Sequence, residues 1–119
     1  MLNLDTHILI HALNGALTSR EERLLATDRW GISAIVLWEL TKLRQLGRIA
    51  LDINGPEFSA ALSRIVVWPL DLTICRKLPV LDFRGDPADE IIAATTLVHN
   101  APLVTRDRRL RASKLVPLA

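Results

Sequence analysis

Short apolar runs alternate with longer segments whose apolar residues recur at intervals of three and four, and this alternation limits the chain to very few folds. Runs too short for a helix become strands, and the segments between them become helices. That is the rhythm of βα units around a parallel sheet. Met1–Leu4, Trp30–Ser33, Val66–Leu70 and Leu103–Thr105 read as strands, with Leu115–Leu118 as a short fifth. Thr6–Leu13, Leu17–Thr27, Ala34–Leu46, Glu57–Ile65, Asp71–Leu78 and Asp86–His99 read as helices, and Asp107–Leu110 as a helical turn. Gly15 and Gly47 are placed to stop two of these helices. Ser19 and Glu22 have capping-box spacing. Asp86 stands at a cap, Pro87 at a first helical position, and Asp89 in the first turn. Pro69 puts the third strand near an end or edge of the sheet. The expected fold is α/β, one domain over residues 1–119, half of them hydrophobic.

Composition removes several function classes. The net charge is only +2, too balanced to predict nucleic-acid binding by itself. The apolar stretch Trp30–Trp38 is far short of the ~20 residues a membrane span needs. The N-terminus lacks the basic start of a secretion signal. One cysteine, Cys75, excludes an internal disulfide and fits a reducing cytoplasm. Its neighbours suggest a packed or half-exposed thiol rather than a nucleophile.

The acidic residues are informative through their places. In open α/β sheets ligands bind beyond the carboxyl ends of the strands. Asp5 directly follows the first strand, and Asp107 follows the fourth by two residues. Asp89 opens the helix before that strand. Glu39 lies inside the helix after the second strand, between apolar Trp38 and Leu40. Taken singly, Asp5, Asp86 and Asp107 are ordinary helix caps. Glu39 is not, because a helix interior offers no orphan amides. If Asp5, Glu39, Asp89 and Asp107 meet, each pair ~5 Å apart repels by roughly 3 kcal/mol at an effective dielectric of about 20. A hard divalent cation relieves that repulsion, and Mg²⁺ or Mn²⁺ suits carboxylates and water without His or Cys ligands. The chemistry such a centre supports is phosphodiester hydrolysis.

The runs Leu4-Asp5-Thr6-His7, Ile32-Ser33-Ala34 with Trp38-Glu39-Leu40, Asp86-Pro87-Ala88-Asp89-Glu90-Ile91-Ile92-Ala93-Ala94-Thr95 and Leu103-Val104-Thr105-Arg106-Asp107 occur in this order. Together they resemble the four motifs of PIN-domain ribonucleases, and most closely VapC-type toxins of bacterial toxin–antitoxin pairs. The resemblance covers essentially the whole chain. It implies a three-layer α/β/α sandwich with a parallel sheet of four or five strands in the order 3-2-1-4-5. It implies a Mg²⁺- or Mn²⁺-dependent endoribonuclease that leaves a 3′-hydroxyl and a 5′-phosphate, a cognate VapB-type antitoxin, and a homodimer in the cytoplasm. It assigns Asp5, Glu39, Asp89 and Asp107 as the catalytic, metal-holding acids. Thr6 and Thr105 become hydroxyl supports, with Asp86 beside them. Many relatives carry Arg where this chain has Glu90, so a positive group near the site gives way to a negative one.

Other features are weaker. Arg106, Arg108, Arg109, Arg111 and Lys114 form a basic run that is either a solvated face or a contact for RNA phosphates. His7 and His11 have zinc-site spacing, but nothing nearby completes a tetrahedron. Three Trp, two Phe and no Tyr provide no platform for base stacking. Two rival readings remain. One is a PIN-like module that binds RNA or a partner without cutting. The other is a receiver-like phospho-acceptor domain, for which the acidic pair after the first strand and the Lys after the last are missing.

Overall fold

The computed structural model describes residues 1–119. The strands are β1 (Leu2–Leu4), β2 (Trp30–Ser33), β3 (Val66–Trp68) and β4 (Leu103–Val104). The helices are α1 (Thr6–Leu13), α2 (Ser19–Leu25), α3 (Ala34–Gln45), α4 (Pro56–Leu62), α5 (Leu72–Lys77), α6 (Pro87–His99) and α7 (Arg108–Ala112). A 3₁₀ turn over Leu78–Val80 extends α5. All strand pairs are parallel, in the order β3-β2-β1-β4. This is the expected order for the first four strands, with β3 at an edge. The fifth strand is reduced to one bridge, Leu118 beside Leu103. Pro117 accepts from Leu103 N–H and Ala119 donates back, but proline has no amide of its own to extend the ladder.

β1 explains why helices cover both faces of the sheet. Alternate side chains of a strand point to opposite faces, and Leu2, Asn3 and Leu4 are all buried. Asn3 points at α6, where its Nδ2 donates to the Ile92 carbonyl at 3.0 Å and to Thr96 Oγ1 at 2.9 Å. Leu2 and Leu4 therefore face the opposite layer. There they join the core cluster that includes Ile8, Leu9, Leu25, Val36 and Leu40. At the β3 edge, the Trp68 indole covers Gly31 and stacks on His99, with ring centroids 4.9 Å apart.

Three local expectations need correction. The α2 capping box is Thr18 with Glu21, one residue earlier than the Ser19–Glu22 pair. The α4 helix runs over Pro56–Leu62, earlier at both ends than expected. Cys75 lies exposed on α5, because Ile74 takes the buried position of that short helix.

Candidate active site

Apart from Glu39, which lies inside α3, each expected acid begins as a local feature of a strand end or helix start. Asp5 caps α1: its Oδ1 accepts from Thr6 N–H at 2.7 Å. Its Oδ2 accepts from the Thr105 hydroxyl at 2.6 Å, which joins the ends of β1 and β4. Thr105 Oγ1 also accepts from the Asp107 amide at 3.0 Å. Asp107 caps α7 by using one oxygen for both Arg109 and Leu110 N–H. Asp86 caps α6 in the same way through Ala88 N–H at 2.9 Å. Glu39, one and a half turns into α3, accepts from the Thr6 hydroxyl, and this ties α3 to the start of α1. The capping reading of Asp5, Asp86 and Asp107 is thus correct. It does not exhaust these residues, because capping occupies only one oxygen of each.

The acids lie close enough for their charges to act on one another. Asp89 is pushed up to about 7 by burial and by the charges of Asp5, Asp107, Asp86 and Glu39. Asp5 is only 5% exposed, and burial raises its carboxyl above the usual range against the opposing hydrogen bonds from Thr105 and Thr6. Burial raises Glu39 as well; the Thr6 hydrogen bond opposes this, while Asp5 and Asp86 add to it. A carboxylate group strained by its own charge, with oxygens of Asp86, Asp89 and Asp107 free of protein donors, is chemically suited to a hard divalent cation. The side chains are gathered but not closed: no three His, Cys, Asp or Glu groups already form a coordination set. In chemical type, all-oxygen carboxylate donors fit such an ion.

The arginines divide. Arg106 forms a two-pronged pair with buried Glu21, Nε to Oε2 at 2.8 Å and Nη2 to Oε1 at 2.6 Å, and clamps α2 to the β4–α7 connection. Arg111 donates to the Thr105 carbonyl at 3.1 Å. Arg109 lies over Gly85, where a Cβ would fall 2.5 Å from its Nη1. Arg108 is exposed and makes no internal bond. Glu90, the departure from the family pattern, points back to the Gly85 amide at 3.3 Å. His7 is exposed and near enough to Asp5 and Glu39 to favour their charged forms.

Two positioning residues escaped the sequence reading. Asn3 sets the height of α6 against β1, and with it Asp89, one turn before Ile92. The only hint was a lone amide in an apolar strand. Glu21 carried only a capping-box spacing with Thr18, and its pairing with Arg106 had no local signal, since that partner lies 85 residues away.

The sequence profile of the PIN domain family matches residues 3–114, a span that includes every acid described above. Over 91 residues, 73% of this chain and 69% of the relative, the sequence is 36% identical to ribonuclease VapC22 of Mycobacterium tuberculosis. Among solved structures, the VapBC2 complex of Rickettsia felis bound to a DNA fragment from its promoter matches with a TM-score of 0.75 and 23% identity. That match covers 100% of this chain and 98% of the other. A toxin–antitoxin complex from Klebsiella pneumoniae matches with a TM-score of 0.68 and 21% identity, covering 90% and 87%. FitAcB from Neisseria gonorrhoeae matches with a TM-score of 0.58 and 25% identity, covering 90% and 88%. With a nearly end-to-end profile match and a relative more than one-third identical, this chain belongs to the PIN domain family.

Proposed function

We propose that this chain is a VapC-type endoribonuclease toxin that hydrolyses RNA phosphodiester bonds with Mg²⁺ or Mn²⁺. One observation carries the reading: burial, and after it the charges of four other carboxylates, raise Asp89 to about 7 at the strand ends where α/β folds do their chemistry. Nothing in folding requires such a cost, and strongly perturbed acids mark functional sites.

Asp5, Glu39, Asp89 and Asp107 would hold the cation. When bound, it supplies positive charge for the phosphoryl oxygens and lowers the pKa of water for attack. The chain's own part is positioning and proton control. Thr105 and the Thr6 amide hold the two oxygens of Asp5 in fixed directions. Thr6 holds Glu39. Asp89, raised to about 7, is only partly ionised near neutrality, and nearby positive charge would favour its anionic form. Arg108 and Arg109, beside Asp107 in the chain, would meet RNA phosphates. Arg106 and Arg111 act chiefly through the internal bonds already described.

Relatives of this fold are solved as toxin–antitoxin complexes, and we extend that to this chain as a cognate VapB-type antitoxin. A homodimer and a cytoplasmic location complete the reading. No helix is long and apolar enough to cross a membrane. The test is cleavage of single-stranded RNA by purified protein with Mg²⁺ or Mn²⁺. Activity should vanish with chelator and with Asp5→Asn. Wild-type rates from that variant would overturn the site.

A further inference from the structure

The acid cluster has two ends. At the Asp107 end stand the α7 arginines. At the other end, Glu39 and Asp86 form part of the wall of a groove of about 390 Å³ between α3 and the start of α6. The rest of that groove is Ile35, Trp38, Pro87, Ala88 and Ile91, and no basic residue lines it. Trp38 is 55% exposed. The other two tryptophans are engaged: Trp30 Nε1–H donates to the Leu25 carbonyl at 2.8 Å, and Trp68 stacks on His99. Trp38 immediately precedes Glu39, so its indole is held at the border of the acids by the same helix.

An apolar slot with carboxylates on its wall and no cation repels phosphate and accepts a flat, uncharged ring. RNA presents both groups side by side. Glu39 and Asp86 belong both to the acids and to the groove wall, so a phosphate held by the acids would bring a flanking base to the groove. Aromatic side chains hold unpaired bases by stacking, whatever the base. We propose that Trp38 is the stacking surface for the nucleobase that flanks the scissile phosphate. The substrate is then a single-stranded or looped RNA with one base turned out at the cleavage point. The assignment rests on the ribonuclease reading above and adds a base-contacting residue to it. Composition offered no row of aromatics, and this mode of binding needs only one.

The experiment is a binding cycle with Ca²⁺ in place of Mg²⁺ or Mn²⁺, which neutralises the carboxylates, with a gel confirming that the RNA stays intact. Short single-stranded RNAs, each abasic at one position, are titrated into wild type, Trp38→Ala and Trp38→Phe, with tryptophan fluorescence as one readout. One abasic position should weaken wild-type binding about tenfold or more, as the loss of a base–aromatic stack does. Trp38→Ala should bind intact RNA equally weakly and lose nothing further from that abasic site, while Trp38→Phe retains most of the affinity. Quenching by RNA should disappear in Trp38→Ala. Additive losses would overturn the proposal. So would wild-type RNA affinity in Trp38→Ala, and if that variant also lost self-association or antitoxin binding, the groove would belong to a protein. Cleavage of the same RNAs with Mg²⁺ or Mn²⁺ separates the two readings. Cutting without Trp38–base coupling removes the stack and leaves the nuclease. Coupling without cutting does the reverse. Urea unfolding of Trp38→Ala, whose indole is largely outside the core, verifies that the variant is folded.

Discussion

Replacing Asp89 with Asn should make the protein more stable and inactive at once. Only burial and charge act on the Asp89 carboxyl; no protein donor does. Asn therefore removes the charge without breaking a hydrogen bond. The rise from 3.8 to about 7 is roughly three pH units, or at most about 4 kcal/mol at about 1.36 kcal/mol per unit. Asp89 is only half-buried, and solvent screening reduces this to about 1–2 kcal/mol. For a domain of this size that is on the order of 5 °C in Tm. The sign follows from the raised folded-state value. Below about pH 4 the group is protonated in both states, and wild type and Asp89→Asn should melt together. Between about pH 4 and 7 the wild type loses stability faster than the variant, in which raised Asp5 and Glu39 still titrate, and the gap is full above pH 7. Thermal unfolding in chelator across pH 4 to 8 measures it. Adding Mg²⁺ or Mn²⁺ at tenfold its Kd should recover roughly 1.4 kcal/mol for the wild type and much less for the variant. A gap independent of pH, or an Asp89→Asn variant that melts below wild type at pH 8, would refute the reasoning that these carboxylates strain one another.

Asp5→Asn should lower RNA cleavage by a factor on the order of 10² or more with little change in Tm, because the amide oxygen can still cap α1 and the bond lost from Thr105 is offset by no longer burying a charge; a discontinuous RNase assay with circular dichroism reports both. Glu21→Gln should cost about 1–2 kcal/mol in urea unfolding at pH 7, since it breaks the charge-assisted pair with Arg106. Arg106 lowers the Glu21 carboxyl to about 2, so that loss should shrink as pH falls from the usual carboxylate range through 2, and a constant difference would contradict the assignment. Gly31→Ala should destabilise by about 1–3 kcal/mol, because a Cβ there would sit 2.3 Å from the Trp68 ring; wild-type stability would show that the edge strand is not packed as described.

Features governed by neighbours in the chain were legible before folding. The α1 limits, the β2 strand and the Asp86-Pro87 start of α6 follow from apolar spacing, capping side chains and the fixed φ of proline. The sheet order was available through the family resemblance, and its fifth member was overestimated because an apolar run containing Pro117 cannot complete a ladder. The α2 cap shows where local reading stops. Thr18-Ser19 and Glu21-Glu22 offer two overlapping boxes, and the choice turns on Arg106, which pairs with Glu21 from far along the chain. Arg106 illustrates the same limit in reverse: in sequence it belongs to a basic run, and in the fold its charge is already taken.

The chain's order of residues thus dictates where helices and strands begin, because those choices depend on backbone preferences within a few residues. It also places an acid at each of several helix starts. Whether those acids strain one another, which arginine stays free, and which tryptophan is left uncovered depend on segments brought together from opposite ends of the chain. Coulomb energy, burial and packing are set by distance in space, and that distance comes into being only when β1, β2 and β4 lie side by side with α6 held against them by Asn3.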